Sequence, residues 1–281
     1  MMTERKGGVK SADLHLHTIF SDGTFSPREL ILQAKKKGLS AISVVDHDTV
    51  DGIRPTMDEA LAKDIEVIPG IELTSEYEGR EIHILGYLID HTNPAFKDTL
   101  SLLKKNRIER IHKITDKLKD IGIILNPEKV FTLASFGTVG RLHVARALVK
   151  EKIVTTTGEA FRRFLGERRP AYVSGFRLKP PEAIKLIKSV KGIPVLAHPF
   201  TLNNDELIPV LIGYGIMGLE VYYTEHSQSM INAYLRLAKE YNLVVTGGSD
   251  CHGDAKPNVK IGSIKLPYSL VEKLKEARQS L

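Results

Sequence analysis

The residues with the greatest chemical potential lie near the start of the chain, in the segment DLHLH from Asp13 to His17. In a β-strand, successive side chains point to opposite faces, so the two leucines would share one face and the aspartate and both histidines the other. Two imidazoles at positions i and i+2 can reach one metal ion, because neutral histidine is a preferred ligand. Asp22 follows closely and could turn back over the same point. The pattern predicts part of a metal site, although an exposed polar strand end would read the same way.

Histidines and acidic residues recur where later apolar runs end. Six of the ten histidines lie at or near such ends, and chemistry gathers at the carboxyl ends of the strands in a βα barrel. The converging donors are His15, His17, Asp22, His47, Glu72, His83, His198, Asp250 and His252. Imidazoles and carboxylates without thiolates suit Zn²⁺, Mn²⁺ or Fe²⁺, and this set is too large for one ion. We therefore expect two to three divalent metal ions as cofactors.

The elements that would position these residues form a βα pattern with one interruption. Strand and helix signals alternate over residues 11–92 and again over 171–281, which favours a parallel sheet. Residues 93–170 instead show long amphipathic stretches, and they predict a small helical insertion domain. About seven strands, most of them followed by a helix, predict an α/β fold of the TIM-like (βα)7 barrel type. A doubly wound open sheet is the alternative.

Composition places the chain among ordinary globular enzymes. Of its 281 residues, 42% are hydrophobic and 26% charged, and no apolar run approaches the ~20 residues needed to span a bilayer. Residues 1–8 lack the apolar core of a signal peptide and read as a frayed leader. The single cysteine, Cys251, fits a reducing cytosol, so we expect a cytoplasmic protein. A net charge of +6 tolerates nucleotide or nucleic-acid partners without requiring them.

The charge of the predicted metal site points to an anionic substrate. Three divalent ions would carry more positive charge than three carboxylates can balance, and a hydroxide with a phosphate ester would balance the remainder. Neighbouring metal ions can generate hydroxide and clamp the attacking and leaving oxygens, so the indicated chemistry is phosphoester hydrolysis. The sequence contains no Walker loop, dinucleotide-binding glycine motif or nucleophile elbow. Cys251 could be a nucleophile or a ligand, but a small packed residue is the favoured interpretation.

Together these motifs resemble those of the PHP (polymerase and histidinol phosphatase) phosphoesterases. The resemblance runs from about residue 13 to residue 252 in the order of that family. It implies a distorted seven-stranded βα barrel with a trinuclear metal centre. The implied ligand sets are His15, His17, Glu72 and Asp250 for the first metal, Glu72, His83 and His198 for the second, and Asp22, His47 and His252 for the third. Asp13 and Asp48 are candidates for orienting the histidine ligands.

Two features of this sequence resemble those of one subgroup of the family: the acidic residue at Asp22 and the helical insertion. Its members are bacterial phosphatases of 3′,5′-nucleotide bisphosphates and 5′-to-3′ exoribonucleases acting on short RNA. The segment from Thr138 to Arg146 resembles the signature of the subgroup's insertion. Arg141, at the predicted start of a helix, could hold a terminal phosphate bidentately, with His143 beside it.

Further substrate contacts are predicted after a late strand. Tyr222, next to Tyr223, and His226 could stack on a base or donate to the leaving oxygen. Asp22 and His226 are candidate acid–base groups beside a metal-bound hydroxide. The sequence thus predicts a hydrolase that acts on a nucleotide or short RNA or DNA, without a membrane or an obligate protein partner. The alternatives are a small-metabolite phosphatase, such as a histidinol phosphatase, or a non-catalytic metal-binding module.

Overall fold

A single sheet organises the part of the chain that the computed structural model describes, residues 10–134, 136–174 and 178–280. The frayed leader expected at residues 1–8 lies outside these ranges. The strands are β1 (Ser11–Leu16), β2 (Ala41–Val44), β3 (Glu66–Tyr77), β4 (Arg80–Tyr87), β5 (Ile193–Leu196), β6 (Gly218–Tyr223), β7 (Val244–Gly248) and β8 (Leu266–Pro267). They lie in the order β7-β6-β5-β4-β3-β2-β1-β8.

The sheet curls into a nearly closed barrel. The amide of His17 donates to the carbonyl of Cys251 at 3.1 Å, and the amide of Asp250 donates to the carbonyl of His15 at 2.9 Å. These bonds join the end of β1 to the segment that follows β7, so the two ends of the strand order meet. The prediction of a TIM-like α/β barrel is confirmed, and the open-sheet alternative is wrong.

Two strands depart from the simple parallel pattern. β4 runs antiparallel to both β3 and β5, whereas β1, β2 and β3 pair in parallel, as do β5, β6 and β7. The antiparallel pairing of β3 and β4 follows from the turn between them. Glu78 and Gly79 both have positive φ angles (51° and 78°) and form a two-residue hairpin turn. The two-residue strand β8, which pairs antiparallel with β1, is an eighth strand beyond the predicted seven.

Helices surround the barrel. They are α1 (Pro27–Lys36), α2 (Ile53–Ala60), α3 (Pro94–Asp120), α4 (Pro127–Leu133), α5 (Arg141–Lys150), α6 (Thr157–Ala160), α7 (Pro180–Ser189), α8 (Leu207–Gly213), α9 (Gln228–Glu240) and α10 (Tyr268–Gln279). The start of α1 shows a capping box, in which Ser26 and Glu29 cap each other's amide. Among the described helices, none combines the length and hydropathy that crossing a bilayer requires.

The long helix α3 connects two hydrophobic cores. Near its start, Phe96 and Leu100 pack into a barrel cluster that also contains residues of β3, β4 and β6. Further along, Ile111 and Leu118 belong to a separate cluster built from α3, α4, α5 and α6 and reaching Val173. The helices α3, α4, α5 and α6 fall within residues 93–170, and they are called the insertion below. Arg107 and Arg110 lie on α3 between the two clusters.

Candidate metal centre

The nine residues predicted as ligands lie together at one end of the barrel. β1 presents His15, His17 follows directly after this strand, and Glu72 lies within the long β3. The other six come from β4 and from segments that follow β1, β2, β5 and β7. Seven of the nine are buried, and His47 and His83 are partly exposed.

Glu72 lies at the middle of this cluster. Its Oε2 lies 3.3 Å from Nε2 of His15 and 3.1 Å from Nε2 of His17. Its Oε1 lies 2.7 Å from Nδ1 of His83 and 3.1 Å from Nε2 of His198. The two carboxylate oxygens therefore face different pairs of imidazoles, which is the arrangement that a carboxylate bridging two ions requires.

Asp250 completes one set of four donors. Its Oδ1 lies 3.4 Å from Nε2 of His15 and 3.2 Å from Nε2 of His17, the same nitrogens that face Glu72. Ligand atoms bound at about 2.1 Å to one ion are about 3.0–3.4 Å apart in octahedral or tetrahedral geometry. The four atoms thus have the spacing of a coordination sphere.

A further group forms around Asp22. Its Oδ1 lies 3.2 Å from Nε2 of His252, and its Oδ2 lies 3.8 Å from Nε2 of His47. The other nitrogen of His47, Nδ1, lies 3.3 Å from Glu72. His47 therefore faces both the Asp22 group and the Glu72 group, whereas the resemblance assigned it to the former alone.

Hydrogen bonding within the protein leaves several of these atoms unsatisfied. In the described part of the chain, buried ligand atoms without a hydrogen-bond partner include His17 Nε2, Asp22 Oδ1, His47 Nδ1 and His83 Nδ1. Unsatisfied buried polar atoms are costly, and their convergence fits an ion as the missing partner. This cluster of histidines and carboxylates could bind metal ions.

Charge in the cluster is strongly coupled. Burial raises the pKa of Asp22, but the imidazoles of His252 and His47 outweigh it and bring that pKa well below its ordinary value. Similarly, the neighbouring histidines hold the pKa of Glu72 well below its usual range despite complete burial. Both carboxylates are ionised at neutral pH. Asp22 accordingly suits the role of a metal ligand.

Glu220 is a site residue that the sequence reading missed. It is fully buried on β6, where its Oε1 lies 2.9 Å from Nδ1 of His15 and its Oε2 accepts from the amide of His198 at 2.7 Å. A carboxylate bonded to the second nitrogen of a ligand histidine fixes the ring and its tautomer. The available signal was a single acidic residue inside an otherwise apolar strand.

A β-bulge decides which tyrosine faces the centre. The register between β6 and β7 shifts between Glu220 and Tyr222, which resets the alternation of side chains. Tyr223, not Tyr222, therefore reaches the site, where its hydroxyl donates to Oδ2 of Asp250 at 3.0 Å. Tyr222 packs against the hydrophobic core. The expectation that Tyr222 contacts substrate is corrected in favour of its neighbour.

His226 lies beside Tyr223, with 5.3 Å between the ring centroids. Its Nδ1 lies 2.8 Å from the carbonyl oxygen of Val221, which can only accept, so Nδ1 carries the proton. Burial lowers the pKa of His226, and the neutral ring presents a lone pair at Nε2. This geometry favours a proton acceptor over a proton donor.

The two aspartates expected to orient histidines have other partners. Asp13 accepts from the amides of Ser249 and Gly262, and burial raises its pKa to about 6. Asp48 accepts from the Arg107 guanidinium at 2.6 Å and from the amide of Thr74. Both therefore brace loops around the centre, and the orienting carboxylate on His15 is Glu220.

A cavity of about 150 Å³ opens beside the cluster, between the barrel and the insertion. Its charged lining, besides His47, His83 and His252, consists of Asp22, Glu81, Arg107, Arg110, Arg141 and Lys256. Cations outnumber carboxylates in this set, so the cavity suits an anion. Arg107, Arg110 and Lys256 were not singled out from the sequence, because basic residues are common on exposed helices and loops.

Both predicted phosphate contacts on α5 lie at this cavity or behind it. Arg141 lines it, donates to Glu81 at 2.8 Å and lies over the rings of Phe161 and Tyr172. His143 is buried, and its Nδ1 accepts from the amide of Gly140 at 3.1 Å. Burial lowers the pKa of His143 to about 4, so its neutral ring carries the proton on Nε2.

Comparison with known proteins agrees with this geometry. Residues 13–166 match the model of the PHP domain family. A 5′-3′ exoribonuclease of Haemophilus influenzae is 36% identical, over 87% of this chain and 90% of the relative. A 3′,5′-nucleoside bisphosphate phosphatase of Chromobacterium violaceum is 26% identical, over 90% of this chain and 91% of that protein.

Solved structures agree as well. A protein of Bifidobacterium adolescentis described as a metal-dependent phosphoesterase superimposes with a TM-score of 0.88 at 28% identity, covering 96% of this chain and 97% of that one. The matches extend over barrel and insertion alike. With its cluster of histidines and carboxylates at the barrel end, the chain belongs to the PHP domain family and is a hydrolase of phosphoester bonds.

Proposed function

We propose that the chain hydrolyses a terminal phosphate or phosphodiester of a nucleotide or short oligonucleotide, at two to three divalent ions (Mn, Fe or Zn). The proposed ligands are the nine residues His15, His17, Asp22, His47, Glu72, His83, His198, Asp250 and His252. The observation that carries the proposal is the position of the cation-lined cavity directly against this cluster. An anion bound there would have its phosphorus beside the ions.

The ions, when bound, would polarise the phosphoryl oxygens and make a water molecule nucleophilic near neutral pH. The protein itself binds and orients the phosphate. Arg141 and Lys256 supply charged donors at the cavity, whereas the buried His143 does not line it. Tyr223 holds Asp250 in place through its hydroxyl.

The nucleotide class of substrate has two supports. The insertion contributes Arg107, Arg110 and Arg141 to one wall of the cavity, and guanidinium groups match phosphate geometry. Among the relatives that align over most of this chain, one is named as a 5′-3′ exoribonuclease and another as a 3′,5′-nucleoside bisphosphate phosphatase. A third is named for a phosphoribosyl 1,2-cyclic phosphate, so all three names describe phosphoesters of a ribose unit.

A substrate screen on protein of measured metal content tests the proposal. We expect turnover of adenosine 3′,5′-bisphosphate and of 5′-phosphorylated short RNA, with little turnover of histidinol phosphate. Turnover of histidinol phosphate alone would favour the small-metabolite alternative. If no phosphoester is hydrolysed, including a chromogenic aryl phosphate with Mn²⁺ present, the non-catalytic alternative would replace the proposal.

Two variants test the ligand assignment. His17→Ala and Asp250→Ala are expected to lower metal content and abolish activity without unfolding the barrel, because the surrounding hydrophobic clusters do not contain either side chain. His91→Ala is the matched control, since His91 is a partly exposed histidine outside the nine. Full activity of His17→Ala would contradict the assignment.

A further inference from the structure

A second cavity lies on the insertion, next to an exposed aromatic side chain. Phe136 is 64% exposed, and Ile108 on α3 is 40% exposed. Together with Phe131 and Lys104 they line a cavity of about 340 Å³, and these four residues are called the Phe136 surface below. Contiguous exposed apolar surface can mark a binding site, and here two exposed apolar side chains lie at one cavity.

This surface is continuous with the metal centre through two connections. Lys104, Arg107 and Ile108 occupy positions i, i+3 and i+4 of α3 and therefore share one face of the helix. Arg107 lines the cavity at the metal cluster, and its Nη1 donates to the carbonyl of Val139 at 3.2 Å. Val139 in turn lines the cavity of the Phe136 surface. One helix face thus leads from the first cavity to the second.

The loop that carries Phe136 provides the second connection. Thr138, two residues further on, donates through its hydroxyl to the carbonyl of His47 at 2.6 Å. A residue spans at most about 3.6 Å, so the Cα of Phe136 lies within about 7 Å of the Cα of Thr138. Phe136 therefore belongs to the same short loop as Thr138, which is bonded to the backbone of the proposed ligand His47.

The charge on this face favours an anionic occupant. Lys104 lines the cavity of the Phe136 surface and also an adjoining cavity of about 180 Å³, whose lining includes Lys97, one heptad before Lys104 on α3. Asp48 and Asp51 line the adjoining cavity too, but Asp48 is paired with Arg107. An exposed aromatic flanked by lysines on a helix combines stacking with backbone attraction, the two features by which proteins bind single-stranded nucleic acid.

We propose that the Phe136 surface binds the second nucleotide of an oligonucleotide whose first nucleotide occupies the metal centre. Its base stacks on Phe136 and contacts Ile108, and the next phosphate pairs with Lys104. This inference rests on the proposed function and goes beyond it, because it makes short single-stranded RNA the substrate class for which the insertion is built. Stacking on an aromatic ring tolerates any base, so no sequence preference is expected at this position.

The test compares a substrate of one nucleotide with a substrate of five nucleotides. Phe136→Ala and Lys104→Gln are expected to leave kcat/KM for adenosine 3′,5′-bisphosphate unchanged, because that substrate is too short to reach the surface. For a 5′-phosphorylated RNA of five nucleotides we expect a loss of about tenfold in kcat/KM with Phe136→Ala. Matched controls are Ile124→Ala, which changes another exposed apolar residue of the insertion, and Lys113→Gln, an exposed lysine on α3.

A binding measurement checks the stacking itself. With the metals removed by a chelator, RNA carrying 2-aminopurine as its second base should lose fluorescence on binding, and Phe136→Ala should remove that quenching. Equal effects on the two substrates, or none on RNA, would overturn the inference while leaving the proposed function intact. A change only in the oligomeric state of Phe136→Ala would overturn it in favour of a self-association surface. Failure of the wild-type protein on both substrates would instead refute the proposed function.

Discussion

Glu81 and Arg141 form an ion pair of 2.8 Å that joins the barrel to the insertion, and the other oxygen of the same carboxylate lies 2.8 Å from Nε2 of His83. The orientation of a proposed ligand on β4 is therefore tied to an arginine on α5. Substrate binding at the arginine and metal binding at the histidine share one carboxylate.

Glu81→Gln tests this connection. The amide cannot accept with both of its terminal atoms, so one of the two contacts is lost. We expect a 10- to 100-fold loss of metal affinity or activity, the range found when partners of ligand histidines are removed. Isothermal titration with Mn²⁺ and steady-state kinetics measure it. Glu59→Gln on the exposed face of α2 is the control, and a Glu81→Gln protein indistinguishable from it would refute the connection.

Glu220→Gln tests the positioning role of the buried carboxylate on β6. The change removes the charge that holds Nδ1–H of His15, while the overall shape of the side chain is kept. Metal affinity should fall by about 10- to 100-fold, and excess metal should restore much of the activity. Glu225→Gln, on an exposed loop after the same strand, should behave as the wild type. Unchanged metal affinity in Glu220→Gln would show that the carboxylate serves packing alone.

Arg141→Lys separates substrate binding from chemistry. Lysine keeps the positive charge but loses the planar group that stacks between Phe161 and Tyr172 and donates to Glu81. We expect KM to rise about tenfold with kcat nearly unchanged, since a guanidinium that holds the phosphate equally in the ground state and the transition state would contribute to binding alone. Arg163→Lys, at an exposed ion pair of the insertion, is the matched control. A fall in kcat with an unchanged KM would contradict this role.

Metal binding should depend on pH through two histidines. Burial lowers the pKa values of His17 and His83, but neighbouring carboxylates outweigh it and raise both values to about 9. These carboxylates are Asp250 and Glu72 for His17, and Glu72 and Glu81 for His83. Without metal both rings are protonated at pH 7, and an ion must displace the protons. Apparent affinity should rise between about pH 7 and 9, by up to about tenfold per pH unit for each proton. Titrations in buffers of different ionisation enthalpy would count the protons released, and a pH-independent affinity would contradict the prediction.

The same shifts predict opposite pH trends in stability with and without metal. The pKa values of His17 and His83 lie above 6.5, their ordinary value in an unfolded chain, so their stabilising contribution is present below about pH 6.5 and is lost as the pH rises through 9. Chelator-treated protein should therefore have a lower Tm at pH 9 than at pH 7. Metal-loaded protein should show no such loss, because tighter metal binding stabilises the folded state. Calorimetry at both pH values measures the difference, and a matching trend in both forms would refute it.

Much of the barrel could be predicted from local patterns. The box at Ser26 and Glu29 marked the start of α1, and alternating leucines and histidines marked β1. The direction of β4 was not predictable in the same way, since it depends on two residues, Glu78 and Gly79, that adopt positive φ angles. Pattern reading detects a strand but not which way its neighbour runs.

Some residues of the candidate site could be predicted from the sequence, and others could not. The nine converging donors could be listed from the sequence because they lie in or close to apolar runs, whose ends meet at one edge of a barrel. Glu220 lies within a strand, and Tyr223 reaches the site only because a bulge resets the alternation. Arg107 is one basic residue among many on α3. These residues are defined by tertiary contacts, which spacing alone does not reveal.

The continuity of α3 limits how the insertion can move. A helix of 27 residues is about 40 Å long, and this one is anchored in a different core at each end. Because α3 has no break, moving the insertion away from the barrel would require this continuous helix to bend. The continuous helix therefore favours a fixed position of the insertion over the barrel. The width of the opening between them, and not a closing motion, would select which phosphates reach the strand ends.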